Sequence, residues 1–392
     1  MDFDFTDEQL MLRNMTRELL ADESTPAAIR RIAETKEGCS LQTWTKLADL
    51  GLLGITIPEA YGGQGLGAVE QALVLEEMGR AALPGPYFAT AVLAAGALIA
   101  SGSEDQKRRY LGGIASGNVK ATLAVMEDGL TWSASSVQLA ARQDGGGYVL
   151  NGAKWLVPYG HMADLILVAA RDGGGISLFA VDAGTPGMQM DPLETMDLTN
   201  RVSHVSFTDV RVDGSALIGQ RGAGEDILDG VLDLAAVGAS AEMLGAARQC
   251  LAMSTEYVKT REQFGQPIGS FQAVKHKCAE MLMEVEQAHA ATYYAAWALS
   301  AGAPDARLAA SVAKAYVSGA ARKVCGDSIQ VHGGIGFTWD FDLHLYFKRA
   351  KHMEVLYGDQ DFHRERALQI ALAAPKRSAP APREREAAAV AS

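Results

Sequence analysis

Over residues 227–260 the chain runs almost unbroken in helix-compatible residues, enough for roughly 50 Å of helix at about 1.5 Å per residue. Helices of that length joined by tight connections form bundles. The pattern breaks at Gly265, Pro267 and Gly269, residues that disfavour helix interiors. It is expected to restart after Ser270, an N-cap type. Phe271, Val274, Cys278, Met281, Leu282 and Val285 then share one helical face. Arg261 therefore stands at the end of a long helix beside an abrupt turn. A guanidinium there is shaped to grip a diphosphate with two parallel hydrogen bonds. The alternative is an ordinary surface arginine on a bundle.

The spacing divides the rest of the chain. Residues 1–119 read as a helical domain, with capping boxes at Thr6-Asp7-Glu8-Gln9 and Ser103-Glu104-Asp105-Gln106. Gly51 stops one helix, and the glycine-rich loop IPEAYGGQGLG follows as a tight connection, without the lysine and hydroxyl of a phosphate loop. Residues 120–217 change character. ATLAVM, YVLNG, ADLILVAA, ISLFAVD and VSHVSF are short β-type runs between turn residues. Asp144-Gly145-Gly146-Gly147 is the expected hairpin turn, and the spacing suits a small β-barrel or sandwich. Residues 218–374 return to helix: about 271–301, then about 304–332 starting at Pro304, then a shorter helix around Leu343. The tail, 375–392, is rich in proline and charge and is expected to be disordered. The fold class is α+β and multi-domain: helical domain, β domain, four-helix bundle.

The net charge of −12 argues against nucleic acid or an anionic membrane as the main partner. The longest apolar run, residues 87–100, is shorter than the roughly 20 residues a spanning helix needs. The four cysteines are scattered, with no zinc spacing. Cys278 and Cys325 fall in helical patterns and are expected to be buried thiols. No metal site is expected. The acidic N-terminus has no signal-peptide pattern, so the expected setting is cytoplasmic and reducing.

The segments REQFG and PIGSFQAVKH, with Gln330-Val331-His332-Gly333-Gly334 further on, resemble the C-terminal domain of the acyl-CoA dehydrogenase family. TWTKLADLGLLGITIPEAYGGQGLG and GSEDQKRRYLGGIASG are similar to its N-terminal domain, and the likeness covers about residues 3–370. It implies an FAD enzyme that desaturates an acyl-CoA thioester. A carboxylate would take the α-proton and a hydride would pass from the β-carbon to the flavin. The resemblance makes Arg261, Gln272, Gln330, Gly333 and Gly334 contacts to an FAD held mainly by a neighbouring subunit. It therefore implies an oligomer, usually a tetramer, of this chain or of a related one, and a separate electron acceptor.

The likeness fails at the chemistry. The family's glutamate position falls on Tyr357, and the other known place for the base falls on Ala235. A phenol titrating near 10 is a poor base at neutral pH. Glu242, almost two turns beyond Ala235 in an uncharged stretch, is the candidate base. Asp233 is a second, and a structural ion pair for Glu242 with Arg248 or another helix is the alternative. In the β domain Leu156 and Pro158 replace the tryptophan and hydroxyl that the family sets beside the flavin ring, and Val125-Met126-Glu127-Asp128-Gly129 replaces its TEP loop. Trp155 could stand in for that tryptophan or be core. Three readings result: a subunit of a hetero-oligomer of the steroid-side-chain type, a homo-oligomer using Glu242, and a flavin-free scaffold.

Overall fold

The computed structural model describes residues 4–373. The N-terminal helices are α1 (Asp7–Glu23), α2 (Pro26–Ala33), α3 (Leu41–Asp49), α4 (Ala68–Arg80), α5 (Ala95–Ser101) and α6 (Glu104–Ala115), with a π-helical stretch Phe88–Ala94 leading into α5. Both expected capping boxes form, at Thr6 and at Ser103.

The strands are β1 (Ala121–Ala124), β2 (Ala140–Asp144), β3 (Gly147–Pro158), β4 (Leu165–Asp172), β5 (Gly175–Asp182), β6 (Met188–Leu193), β7 (Val202–Asp213) and β8 (Leu217–Ile218). They make one sheet in the order β6-β7-β3-β2-β4-β5-β8, with β1 alongside β4. The β2–β3 hairpin turns where expected, pairing Asp144 with Gly147. β4 is apolar from Leu165 to Ala170 because both of its faces are covered there. Leu165, Leu167 and Ala169 join the core shared with the helices, while Ile166, Val168 and Ala170 join a second core on the other side of the sheet.

The C-terminal helices are α7 (Gly224–Thr260), α8 (Gln272–Ser300), α9 (Ala306–His332), α10 (Leu343–Val355) and α11 (Gln360–Ala373). Four details differ from the sequence expectation. Phe271, not Ser270, occupies the N-cap of α8, and the Ser270 hydroxyl instead donates to the Pro267 carbonyl. α9 begins two residues after Pro304. α11 was not anticipated, because charged residues on several sides mask its apolar spacing. The expected disordered tail lies outside the described residues. Cys278 is half-buried rather than buried, while Cys39, Cys250 and Cys325 are buried.

The small residues of α7 serve close helix packing. α4 crosses α7 almost backbone to backbone: a methyl group at Gly245 would lie 1.9 Å from the Glu76 carbonyl oxygen, and one at Gly79 would lie 2.0 Å from that of Glu242. Gly230, also in α7, has nothing within 4 Å. Opposite outcomes are expected for one substitution at the two sites. Gly245→Ala forces the helices apart and lowers stability by about 2–3 kcal/mol or more. Gly230→Ala raises it by about 0.5–1 kcal/mol. Denaturant unfolding of the two variants checks this.

Candidate functional site

Five of the residues singled out from the sequence gather at one end of the bundle. Arg261 follows the last turn of α7, and its backbone N–H still donates to the Tyr257 carbonyl. A tight hairpin pairs Gln266 with Gln263, with Phe264 and Gly265 both at positive φ. Gly269 folds back against Val258, where an added methyl would lie 2.9 Å from the Val258 carbonyl oxygen, so Gln272 opens α8 at the same corner. Tyr257 stacks on His332 at 4.2 Å, which brings the last turn of α9 and its Gln330 to the end of α7. Gly333 follows at φ 65° and ψ −140°, a conformation open to glycine almost alone. Added methyls at Gly333 or Gly334 would meet nothing within 4 Å.

All five residues are exposed, and among the described residues the Arg261 guanidinium has no acceptor. Around them stand large apolar side chains open to solvent: Phe264 at 92%, Phe337 at 84% and Trp339 at 60% exposure. An exposed apolar patch of this kind marks a contact surface. The corner can therefore offer a phosphate a cation, bare backbone N–H groups and an apolar rim.

Glu242 lies elsewhere, about 28 Å back along α7. It is buried, and its carboxylate accepts from Arg349 Nη2 at 3.0 Å. Arg349, on α10, is buried too, and its Nη1 donates to the Leu83 carbonyl and the Thr199 hydroxyl, each at 2.9 Å. Burial pushes the Glu242 carboxyl up, and the Arg349 guanidinium opposes the shift. Arg248, the partner considered from sequence, instead pairs with Glu76 at 2.8 Å. Asp233 accepts from Arg366 at 2.6 Å. Both candidate bases are thus engaged in ion pairs.

Tyr357 is buried at φ 61°, a genuine outlier for a bulky residue. Its surroundings hold it there. Its ring stacks on Phe88 at 4.8 Å and meets Trp132 at 4.9 Å. Its carbonyl accepts from His363 Nε2 at 2.8 Å. Buried Lys314 Nζ donates to the next carbonyl, Gly358, at 2.8 Å and to that of Glu354 at 3.0 Å. Trp132 comes from the loop after Glu127, and that loop is pinned. The Glu127 carboxylate accepts from the Gln138 and Leu139 backbone N–H groups, each at 2.9 Å, and from Lys154 Nζ at 2.8 Å. Burial opposes ionisation of Glu127, but Lys154 and these amides hold its carboxyl below the usual range. Trp155, a possible stand-in for the flavin-side tryptophan, is half-buried and rests on His204 at 4.3 Å. The aromatic cluster was not foreseen. Phe88 and Trp132 carry no local sequence signal, since only the fold brings them to Tyr357.

Family models match three successive regions: the acyl-CoA dehydrogenase N-terminal domain over residues 6–118, the middle domain over 122–210 and the C-terminal domain over 222–372. The probable acyl-CoA dehydrogenase YngJ of Bacillus subtilis is 34% identical over 374 residues, 93% of this chain and 98% of that one. The ChsE4–ChsE5 complex of Mycobacterium tuberculosis matches at 31% identity and a TM-score of 0.88, over 96% of this chain and 100% of that chain. The Tcur3481–Tcur3483 steroid ACAD matches at 32% identity and a TM-score of 0.86, over 93% and 98%. The chain belongs to the acyl-CoA dehydrogenase family, flavoprotein oxidoreductases that bind FAD and act on CH–CH bonds.

The two halves of an FAD site fit this chain unequally. The exposed corner of Arg261, Gln272, Gln330, Gly333 and Gly334 has the cation and the unobstructed backbone that a diphosphate and adenosine need. Between the Glu127 loop and Tyr357 the rings of Phe88, Trp132 and Tyr357 pack together, and Leu156 and Pro158 offer neither an aromatic ring nor a hydroxyl to a flavin.

Two outcomes are expected. Glu242→Ala leaves Arg349 charged and unpaired in the interior, so stability falls by about 3–5 kcal/mol. The double variant E242M/R349M loses much less than the sum of the two single changes. Paired denaturant curves measure both. His363 is driven down to about 3, first by burial and then by Lys314, whereas a free imidazole titrates near 6.5. The unfolded chain therefore takes up a proton that the native ring refuses as pH falls from about 6.5 towards 3. The stability contribution is whole above that window and is lost through it. Urea midpoints at pH 7 and 4.5 should fall further apart for the native protein than for His363→Gln.

Proposed function

We propose that this chain is one subunit of a hetero-oligomeric, FAD-dependent acyl-CoA dehydrogenase. In this reading it completes a flavin site whose ring is held by a different, related subunit. The observation that carries it is the contrast within one molecule. An open corner stands at Arg261 and Gly333-Gly334, while Tyr357, Phe88 and Trp132 pack together where, in this reading, the chain's own ring and acyl group would otherwise lie. The similar ChsE4–ChsE5 structure is a complex of two named proteins, and the similar Tcur3481–Tcur3483 protein is a steroid ACAD. Both support a two-chain assembly, a tetramer in this reading, acting on a bulky steroid-type acyl thioester. Electrons then leave the flavin for a separate acceptor.

In the assembly Arg261 holds the diphosphate as a two-pronged cation, Gln272 and Gln330 hydrogen-bond the dinucleotide, and Gly333-Gly334 let it approach the backbone. FAD supplies the electron sink. The partner supplies the base, because Tyr357 stands at one base position and Glu242 is committed to Arg349. The homo-oligomeric reading needs Glu242 free to take a proton, and its ion pair counts against that. A flavin-free scaffold would leave the exposed Arg261 corner without a ligand.

Purified alone, the full chain is expected to show no visible flavin band, and co-expressed with a related partner subunit it should be yellow. Full flavin occupancy in the isolated chain would overturn the reading. Arg261→Ala in this chain should weaken flavin retention by the complex roughly thirtyfold, the effect of about 2 kcal/mol for a charge-assisted contact.

A further inference from the structure

A second basic site, unrelated to the flavin corner, lies where the N-terminal helices meet the bundle. α1, α4, α7 and α8 border a pocket of about 390 Å³ whose charged lining is Arg13, Arg17, Arg80 and Arg248 with Glu76 and Glu286, beside His289. Arg248 is about 20 Å from Arg261 along α7.

The charges in this pocket do not balance. Arg17 grips Glu77 with two prongs, at 2.9 and 2.5 Å. Arg248 meets Glu76 at 2.8 Å and reaches Glu286 at 3.8 Å. The other Glu76 oxygen accepts from the Tyr293 hydroxyl at 2.6 Å. The carboxylates are thus engaged. Among the described residues Arg80 has only the neutral Gln249 side chain, at 3.2 Å, and Arg13 has no ion-pair or hydrogen-bond partner. The Arg13 guanidinium lies instead over the Phe5 ring, at 5.9 Å. Its Nε is buried without an acceptor, as is His289 Nδ1. Burial, with Arg248 and Arg13, pushes the His289 ring down to about 4, as expected in an excess of positive charge. Two guanidiniums on separate helices, α1 and α4, thus line one pocket without a carboxylate partner of their own among the described residues. Leu282 and Val285 of α8 supply an apolar wall.

We propose that this pocket is an anion site for a phosphate group, held between Arg13 and Arg80 and braced by Arg248. Arg13, Arg17, Arg80 and Arg248 exceed Glu76, Glu77 and Glu286 by one positive charge, and the planar forks of the two guanidiniums without a carboxylate match phosphate oxygens. The pocket has room beyond the phosphate for a small apolar substituent, so inorganic phosphate and a phosphate monoester share the site. Binding ties α1 and α4 to α7 and α8, and so strengthens the docking of the N-terminal domain on the bundle.

The test uses the full chain at fixed ionic strength. Thermal unfolding is followed against inorganic phosphate and phenyl phosphate, with chloride as the reference, and equilibrium dialysis counts bound phosphate. The expected result is a saturable rise in the midpoint and about one phosphate per chain. The double variant R13Q/R80Q should lose both, while its midpoint in chloride stays level or rises because two like charges have been removed. A stronger response to phenyl phosphate assigns the apolar wall to the ligand, and equal responses assign the site to phosphate alone. An unsaturable rise shared by wild type and variant, or no bound phosphate, would overturn the proposal. So would a variant that loses stability in chloride yet still binds phosphate. Flavin content of the assembled enzyme is a separate readout, so failure here leaves the flavin reading untouched.

Discussion

Arg349 is where the three domains meet. One buried guanidinium donates to Leu83 in the N-terminal domain, Thr199 in the β domain and Glu242 in the bundle. The Thr199 hydroxyl in turn donates a hydrogen bond to Asp197, which is almost fully buried, so the cation lies between two anionic groups. A buried ion pair adds little net stability compared with well-packed apolar groups, but losing one member is severe. Its effect is geometric. α10 can sit in only one place, and the segment that follows it inherits that position.

That segment decides what the chain can do. It carries Tyr357 in a conformation a tyrosine avoids, and Lys314, His363 and the rings of Phe88 and Trp132 hold it there. On the opposite side, the Lys154–Glu127 pair fixes the loop that delivers Trp132. Two buried polar anchors thus press an aromatic stack together from the bundle and from the sheet. In the proposed arrangement this stack keeps flavin and substrate out of the chain's own centre. In that arrangement the far end of α7, about 28 Å from Glu242, and the end of α9 beside it serve a neighbour.

Most of the architecture was legible in the sequence because it rests on periodicity. The long apolar spacing of α7, α8 and α9, the strand runs and the capping boxes at Thr6 and Ser103 are local signals. The residues of the exposed corner could be singled out for a different reason: Arg261, Gln272 and Gly333-Gly334 sit in short contiguous segments. What could not be read was long-range pairing. Nothing near Glu242 announces Arg349, which lies on another helix, and Arg248 was the nearer cation. Phe88, Trp132 and Tyr357 come from three domains and meet only in the fold. The small residues of α7 fitted either a wide cavity or a close crossing, and the contact of Gly245 with the Glu76 backbone selects the crossing. α11 was hidden by its mixture of charged and apolar residues.

The central claim is that this polypeptide completes a flavin site it does not itself contain. Native mass spectrometry of the assembled complex, with FAD in excess, tests this by counting. The account predicts one FAD for every two polypeptides, each flavin requiring one copy of this chain and one of its partner. One FAD on every polypeptide, this chain included, would contradict it.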